Sequence, residues 1–249
     1  MREPLSQLAL DDSRSAIARS EAVFALCNFR PADPWRFVPL LTNDDQDLAI
    51  ETSRTFRAWL DVGVARDCVE TIKNLDLTDA VSDRLAPALN RGVSRPANRE
   101  ESLAVLSDGG DAQRGRRVFD TNRVGCKKCH TVGSRGGTLG PDLGQISKSK
   151  SREQIIDAIL NPSADFAPQY QAWMVVTVDG KVHRGLQLDH KSGGKINLTL
   201  ETGETRTFAA DEIEDYVASP NSLMPNGLAD TMTVAEFRDL IMYLASVDR

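Results

Sequence analysis

At 249 residues with 41% apolar content, the chain can bury one large core or two modest ones, and two domains are expected. A formal net charge of -6, with Lys and Arg interspersed among the acids, excludes a surface built mainly for nucleic acid or anionic lipid. No apolar run approaches the roughly 18 to 20 residues that a membrane span needs.

Residues 1–92 read as helical throughout, with an internal echo at a shift of 32 positions: Leu8, Asp12 and Phe24 fall on Leu40, Asp44 and Phe56. Each unit reads as a short apolar helix, an acidic turn (LDDS, then TNDD) and a longer helix such as QDLAIETSRTFRAWL. The pattern resembles HEAT-like repeats, with an ordinary helical bundle as the alternative, and a third, weaker unit ends in LTDAVSDRLAPALN. Cys27 and Cys68 sit inside apolar helical patterns, where free cysteine packs as a small hydrophobe. Helix repeats bury their apolar faces only against neighbours, so an array that opens without a polar cap or signal-peptide core is expected to continue an upstream domain. Residues 93–104 mix Gly, Pro, Arg and Ser without periodicity and read as a linker.

The second domain, residues 105–249, opens with a helix over Asp111 to Thr121 and then carries Cys126, Cys129 and His130 as a CxxCH signature. On one helical turn, positions i, i+3 and i+4 share a face, so two thiols can bond the vinyl groups of a porphyrin while the imidazole reaches its iron. The competing readings are a redox dithiol, which needs no trailing His, and a zinc site, which needs two more ligands and has only the distant His183 and His190 to draw on.

Between Asn161 and Met224 the pattern changes to alternating apolar and polar residues with turn signals at DG, SGG and TG. A small antiparallel β-insertion over about residues 168–217, of about five strands, is expected, since a lone hairpin is marginal in water. His183 and His190 fall within it as solvent-facing strand or turn residues, with a haem-ligand or proton-site role as the alternative. Of the five Met residues, Met224 lies in an irregular Pro- and Gly-containing loop, NSLMPNGL, and is the candidate second axial ligand; a Met thioether raises the reduction potential relative to a second imidazole. Thr233 and Glu236 form a capping box that opens a last helix running through Val247.

The helix with Gly115 and Phe119, set against a last helix with Tyr243, resembles the crossed terminal helices of class I cytochromes c. By that resemblance these three residues are architectural. In TLGPDL the carbonyl of Pro141 is likewise expected to orient the proximal imidazole. The motifs GRRVF, CKKCH, GPDL, ILNPSADFAPQY, DGKVHRG, DEIED, SLMPNGL and TVAEFRDLIMYLAS together resemble the haem-binding domain family of the Pirellula/Verrucomicrobium type, over residues 105–249. Members of that family commonly follow HEAT-like repeats and often a dehydrogenase-like propeller.

The expected architecture is therefore mainly α with a small antiparallel β-insertion, HEAT-like repeats preceding a class I-like cytochrome c domain. One covalent haem c is expected, ligated by His130 and Met224, with electron donor and acceptor proteins as partners, no nucleic acid, and a periplasmic or otherwise extracytoplasmic location. The expected role is an electron carrier rather than an enzyme. The alternatives are a haem enzyme or gas sensor with an open distal site, and a scaffold in which haem is mainly structural.

Overall fold

The computed structural model describes residues 2–89, 96, 98–121 and 123–247. They divide into two compact units, Met1–Arg95 and Pro96–Arg249, and about half of the chain is helical.

The first unit contains α1 (Arg2–Leu10), α2 (Ala16–Leu26), a 3-10 segment (Pro34–Thr42), α3 (Gln46–Asp61), a 3-10 turn (Arg66–Cys68) that runs into α4 (Val69–Lys73), and α5 (Asp79–Leu85). Side-chain caps set the starts: Ser15 accepts from the Ala18 amide, Asp33 from Trp35 and Asp45 from Leu48. Pro39 lies within the 3-10 segment, where its missing N–H and its ring disfavour an α-helical ladder. α3 is the central helix, with α2, the 3-10 segment and α5 around it. Polar side chains on it are therefore buried as well as apolar ones. The Thr55 hydroxyl donates to the Val23 carbonyl and the Trp59 indole to the Leu26 carbonyl. Phe37 and Phe56 meet Trp59 edge-on at 5.4 and 5.3 Å. The 32-residue echo falls on two short-helix, acidic-turn, long-helix units. The matched positions are not equivalent in environment, since Phe56 is buried and Phe24 only half-buried.

The second unit has α6 (Arg99–Leu106), α7 (Ala112–Asp120), α8 (Cys126–Cys129), the two-residue strands β1 (Thr131–Val132) and β2 (Arg135–Gly136), α9 (Ile146–Ser149) and α10 (Arg152–Leu160). Five strands follow, β3 (Trp173–Thr177), β4 (Val182–His190), β5 (Ile196–Leu200), β6 (Thr205–Phe208) and β7 (Ile213–Ala218), and then α11 (Val234–Ser246). Of the stretch read as a linker, residues 93–95 and 97 lie outside the described residues, while Arg99–Leu106 is helical. Asn98 caps that helix by accepting from the Glu101 amide, and Ser102 and Leu106 are buried. Eight residues are too few to show a period, so the signal was in the cap.

α7 and α11 cross at Gly115, where a Cβ would meet the Asp239 carbonyl oxygen and the Tyr243 Cβ. The Phe119 and Tyr243 rings lie 5.8 Å apart beside the crossing. Around it Leu106, Val118, Ile156, Leu240 and Ile241 are buried in one core. The five long strands form an antiparallel sheet in the order β6-β5-β4-β3-β7 over its own core of Val175, Ile196, Leu198 and Phe208. It is a sizeable, curled sheet rather than the small insertion expected. β7 returns to pair with β3, and the pairing continues as Ser219 donates its amide to the Ala172 carbonyl. That closure delivers the chain directly into the loop that bears Met224.

Candidate cofactor site

Gly125, in the left-handed conformation at φ 81°, turns the chain into α8, a single turn that places Cys126 and Cys129 three residues apart. Both thiols are free and half-buried. Burial pushes the Cys126 thiol up to about 12. Burial also raises Cys129, with Lys128 opposing and Glu201, in the β5–β6 turn, adding to the rise. A redox dithiol needs the opposite, a thiol shifted down toward thiolate.

His130 follows at the C-terminal cap, its amide donating to the Cys126 carbonyl. Its Nδ1 donates to the Pro141 carbonyl oxygen at 2.9 Å, which leaves Nε2 as the nitrogen available to a metal. Burial pushes the imidazole below its ordinary value, with the Pro141 carbonyl opposing, which favours the neutral form that a ligand takes. The loop after the motif is fitted tightly to it. The Gly137 amide donates to Lys127, Gly140 to Cys129 and Leu143 to Thr131. A Cβ on Gly140 would stand 2.5 Å from the His130 ring, and one on Gly137 only 1.9 Å from the Lys128 carbonyl oxygen. These glycines are site residues that motif reading passed over. The run SRGGTLGP, with three glycines just after CKKCH, was the available signal.

Met224 lies in the loop between β7 and α11, half-buried, and packs against the same α7–α10–α11 core as Cys126. Its amide donates to the Ser222 hydroxyl at 3.1 Å. Other methionines are committed elsewhere: Met232 is buried in the core, Met242 accepts from Arg152 and Met174 is in β3. Neither remaining histidine joins the site. His183 is half-buried rather than solvent-facing, its Nε2 accepting from Arg206 at 3.1 Å and its ring 5.1 Å from Phe208, while exposed His190 lies edge-on to Tyr216. Among the described residues no group of three or more His, Cys, Asp or Glu is placed to hold a metal. Two unpaired thiols one turn apart, and beside them an imidazole fixed through one nitrogen, fit a porphyrin bonded through its edge better than they fit zinc.

Comparison with known families matches residues 112–248, more than half of the chain, to cytochrome c. A cytochrome c-553-like protein of Synechocystis sp. is 34% identical over 67 residues, which cover 27% of this chain and 60% of that relative. The chain thus spans about three fifths of the length of the curated relative it matches. The CxxCH turn, the tethered imidazole and the family match agree, and this chain belongs to the cytochrome c family.

Proposed function

We propose that this chain is a one-haem electron-transfer module, with thioether links at Cys126 and Cys129 and with His130 and Met224 as axial ligands. Membership of the cytochrome c family implies covalently bound haem c and redox partners. When bound, the haem supplies an iron that takes up and releases one electron with no bond made or broken in a substrate.

The chain's own residues supply attachment, orientation and shelter. Cys126 and Cys129 fasten the porphyrin, and Pro141 fixes which nitrogen of His130 is free. Gly140 lets the loop close over the imidazole. Met224 contributes a soft thioether that favours the reduced iron relative to a second imidazole. Haem held through His130 and Met224 in this way would change its ligation little between oxidation states, which would keep reorganisation small. The observation that carries the reading is the His130–Pro141 hydrogen bond at 2.9 Å beside the two thiols: a dithiol has no use for a tethered imidazole, and among the described residues no group of three or more His, Cys, Asp or Glu is placed to hold zinc.

On the motifs quoted above, the second unit is read as the haem-binding domain of the Pirellula/Verrucomicrobium type, and the first as HEAT-like scaffolding. The module then serves a larger extracytoplasmic, dehydrogenase-like protein. No helix among the described residues is long and apolar enough to cross a membrane. The test is a pyridine haemochrome spectrum together with intact mass, on full chain matured by a periplasmic cytochrome c assembly system. The expected result is one haem per chain; a colourless product with the mass of the polypeptide alone would overturn the reading.

A further inference from the structure

We propose that Arg184, in the β-sheet, is a positioning residue for Met224. The inference rests on the assignment of Met224 as a haem ligand. Arg184 lies on β4, between β3 and β5, paired in register with Met174. Its Nη2 donates to the Ser222 carbonyl at 2.7 Å and to the Asn221 carbonyl at 3.1 Å, and its Nη1 donates to Glu201 at 3.3 Å. One guanidinium from an interior strand thus grips two successive peptide carbonyls, the second of them two residues before the methionine. Its Nη2 holds both carbonyls while Nη1, on the other prong of the planar fork, is held by Glu201, which fixes the direction of the guanidinium.

The rest of the loop depends on those two residues. The Ser222 hydroxyl accepts the Met224 amide, and the Ser222 amide donates to the Ser163 hydroxyl at 3.1 Å. The Ser219 hydroxyl donates to the Asn221 carbonyl and accepts the Asn221 amide. No helix or strand covers residues 219–227, so side-chain bonds of this kind define where Met224 sits. The β-sheet is then more than an appendage. Its central strand carries the clamp, and its closing pair, β3 with β7, delivers the loop. The Arg184 side chain is 34% exposed, so water takes over part of its work when it is removed, and the effect is graded.

The experiment compares Arg184→Ala, Arg184→Lys and Met224→Ala in the haem-loaded full chain. It reads the far-red methionine-to-iron charge-transfer band of the oxidised protein, the affinity for added imidazole, and amide exchange at Met224. Arg184→Ala should weaken the band, tighten imidazole binding about tenfold and speed Met224 exchange about tenfold, the scale of one lost charge-assisted hydrogen bond. Arg184→Lys should fall between it and the parent. If Met224→Ala abolishes the band while Arg184→Ala keeps full band intensity and parental imidazole affinity, the inference is overturned, even if the melting temperature drops. Should Arg184→Ala fail to fold, Arg184→Met, which keeps the stem and removes every donor, stands in for it, and parental values there overturn the inference equally. A band that survives Met224→Ala instead overturns the ligand assignment, and this inference with it.

Discussion

A Cβ on Gly115 would lie 1.9 Å from the carbonyl oxygen of Asp239, so α7 and α11 cross backbone against backbone at that point. The contact is reinforced from the side, because Asp239 accepts from the Asp111 amide at 2.8 Å and from Arg114 at 3.1 Å. Gly115→Ala must push the helices apart and loosen these bonds together. The expected cost is about 3 kcal/mol, at the upper end of overpacking penalties, read by denaturant unfolding of the loaded protein. A loss below about 0.5 kcal/mol, the level of an ordinary surface substitution, would show that the crossing relaxes freely.

Gly140→Ala probes the imidazole more directly. The new methyl would sit 2.5 Å from Cε1 and 2.6 Å from Nδ1 of His130, so the ring must tilt away from the Pro141 carbonyl. Haem attached per chain should fall about tenfold, the usual scale for disturbing a ligand's hydrogen-bonded support. Gly133→Ala is the comparison: its Cβ meets nothing within 4 Å, although φ is +65°. It should cost about 1 kcal/mol of backbone strain and leave haem content unchanged.

Much of this arrangement is local and so could be seen in the sequence. CxxCH is chemistry written within one helical turn, and the Thr233–Glu236 box closes over four residues. The DG turn signal marks a real reversal at Gly180, φ 78°. What pattern reading missed depends on partners distant in the chain. α6 was hidden because its eight residues show no period and its burial comes from the second unit's core. Arg184 looks like any polar strand residue until β4 is set beside a loop 37 residues further on. The five strands were legible in the alternation, but their order was not: β7 pairing with β3 is a choice made by packing that no hairpin rule contains.

Acid should loosen the sheet before it touches the helical core. His183 sits against Phe208 and accepts from Arg206, and burial, followed by the Arg206 charge, pushes its pKa below the ordinary 6.5. The unfolded chain therefore takes up this proton at higher pH than the folded one. The stability involved is present above pH 6.5 and is lost as pH falls through the lower folded value. Amide exchange in β4–β6 should accelerate between about pH 7 and pH 5 relative to α11, and His183→Gln should flatten that dependence. Equal pH dependence in the parent and the variant would remove His183 as its source.

In the first unit the critical charge is Glu51, fully buried on α3 with an oxygen 2.7 Å from Arg54, itself only 7% exposed. Arg57 and Arg84 are buried in the same unit, and Arg57 donates to the Arg84 carbonyl. Removing the carboxylate takes one counter-charge away from a nearly buried guanidinium. Glu51→Ala should therefore cost about 3 kcal/mol or more, the penalty for breaking a buried pair from one side. Glu51→Gln should cost less, because its amide oxygen still accepts from Arg54. Exchanging Glu51 and Arg54 together for apolar residues should recover part of the loss, since the pair's own net contribution is small once both charges are gone. Far-UV unfolding reports the helices of both units and haem absorbance the second alone, so the part of the helical transition that haem absorbance does not share follows this unit. A helical transition that moves to lower denaturant while the haem transition stays in place is the expected result. A shift in the haem transition of the same size would show that the two units unfold as one.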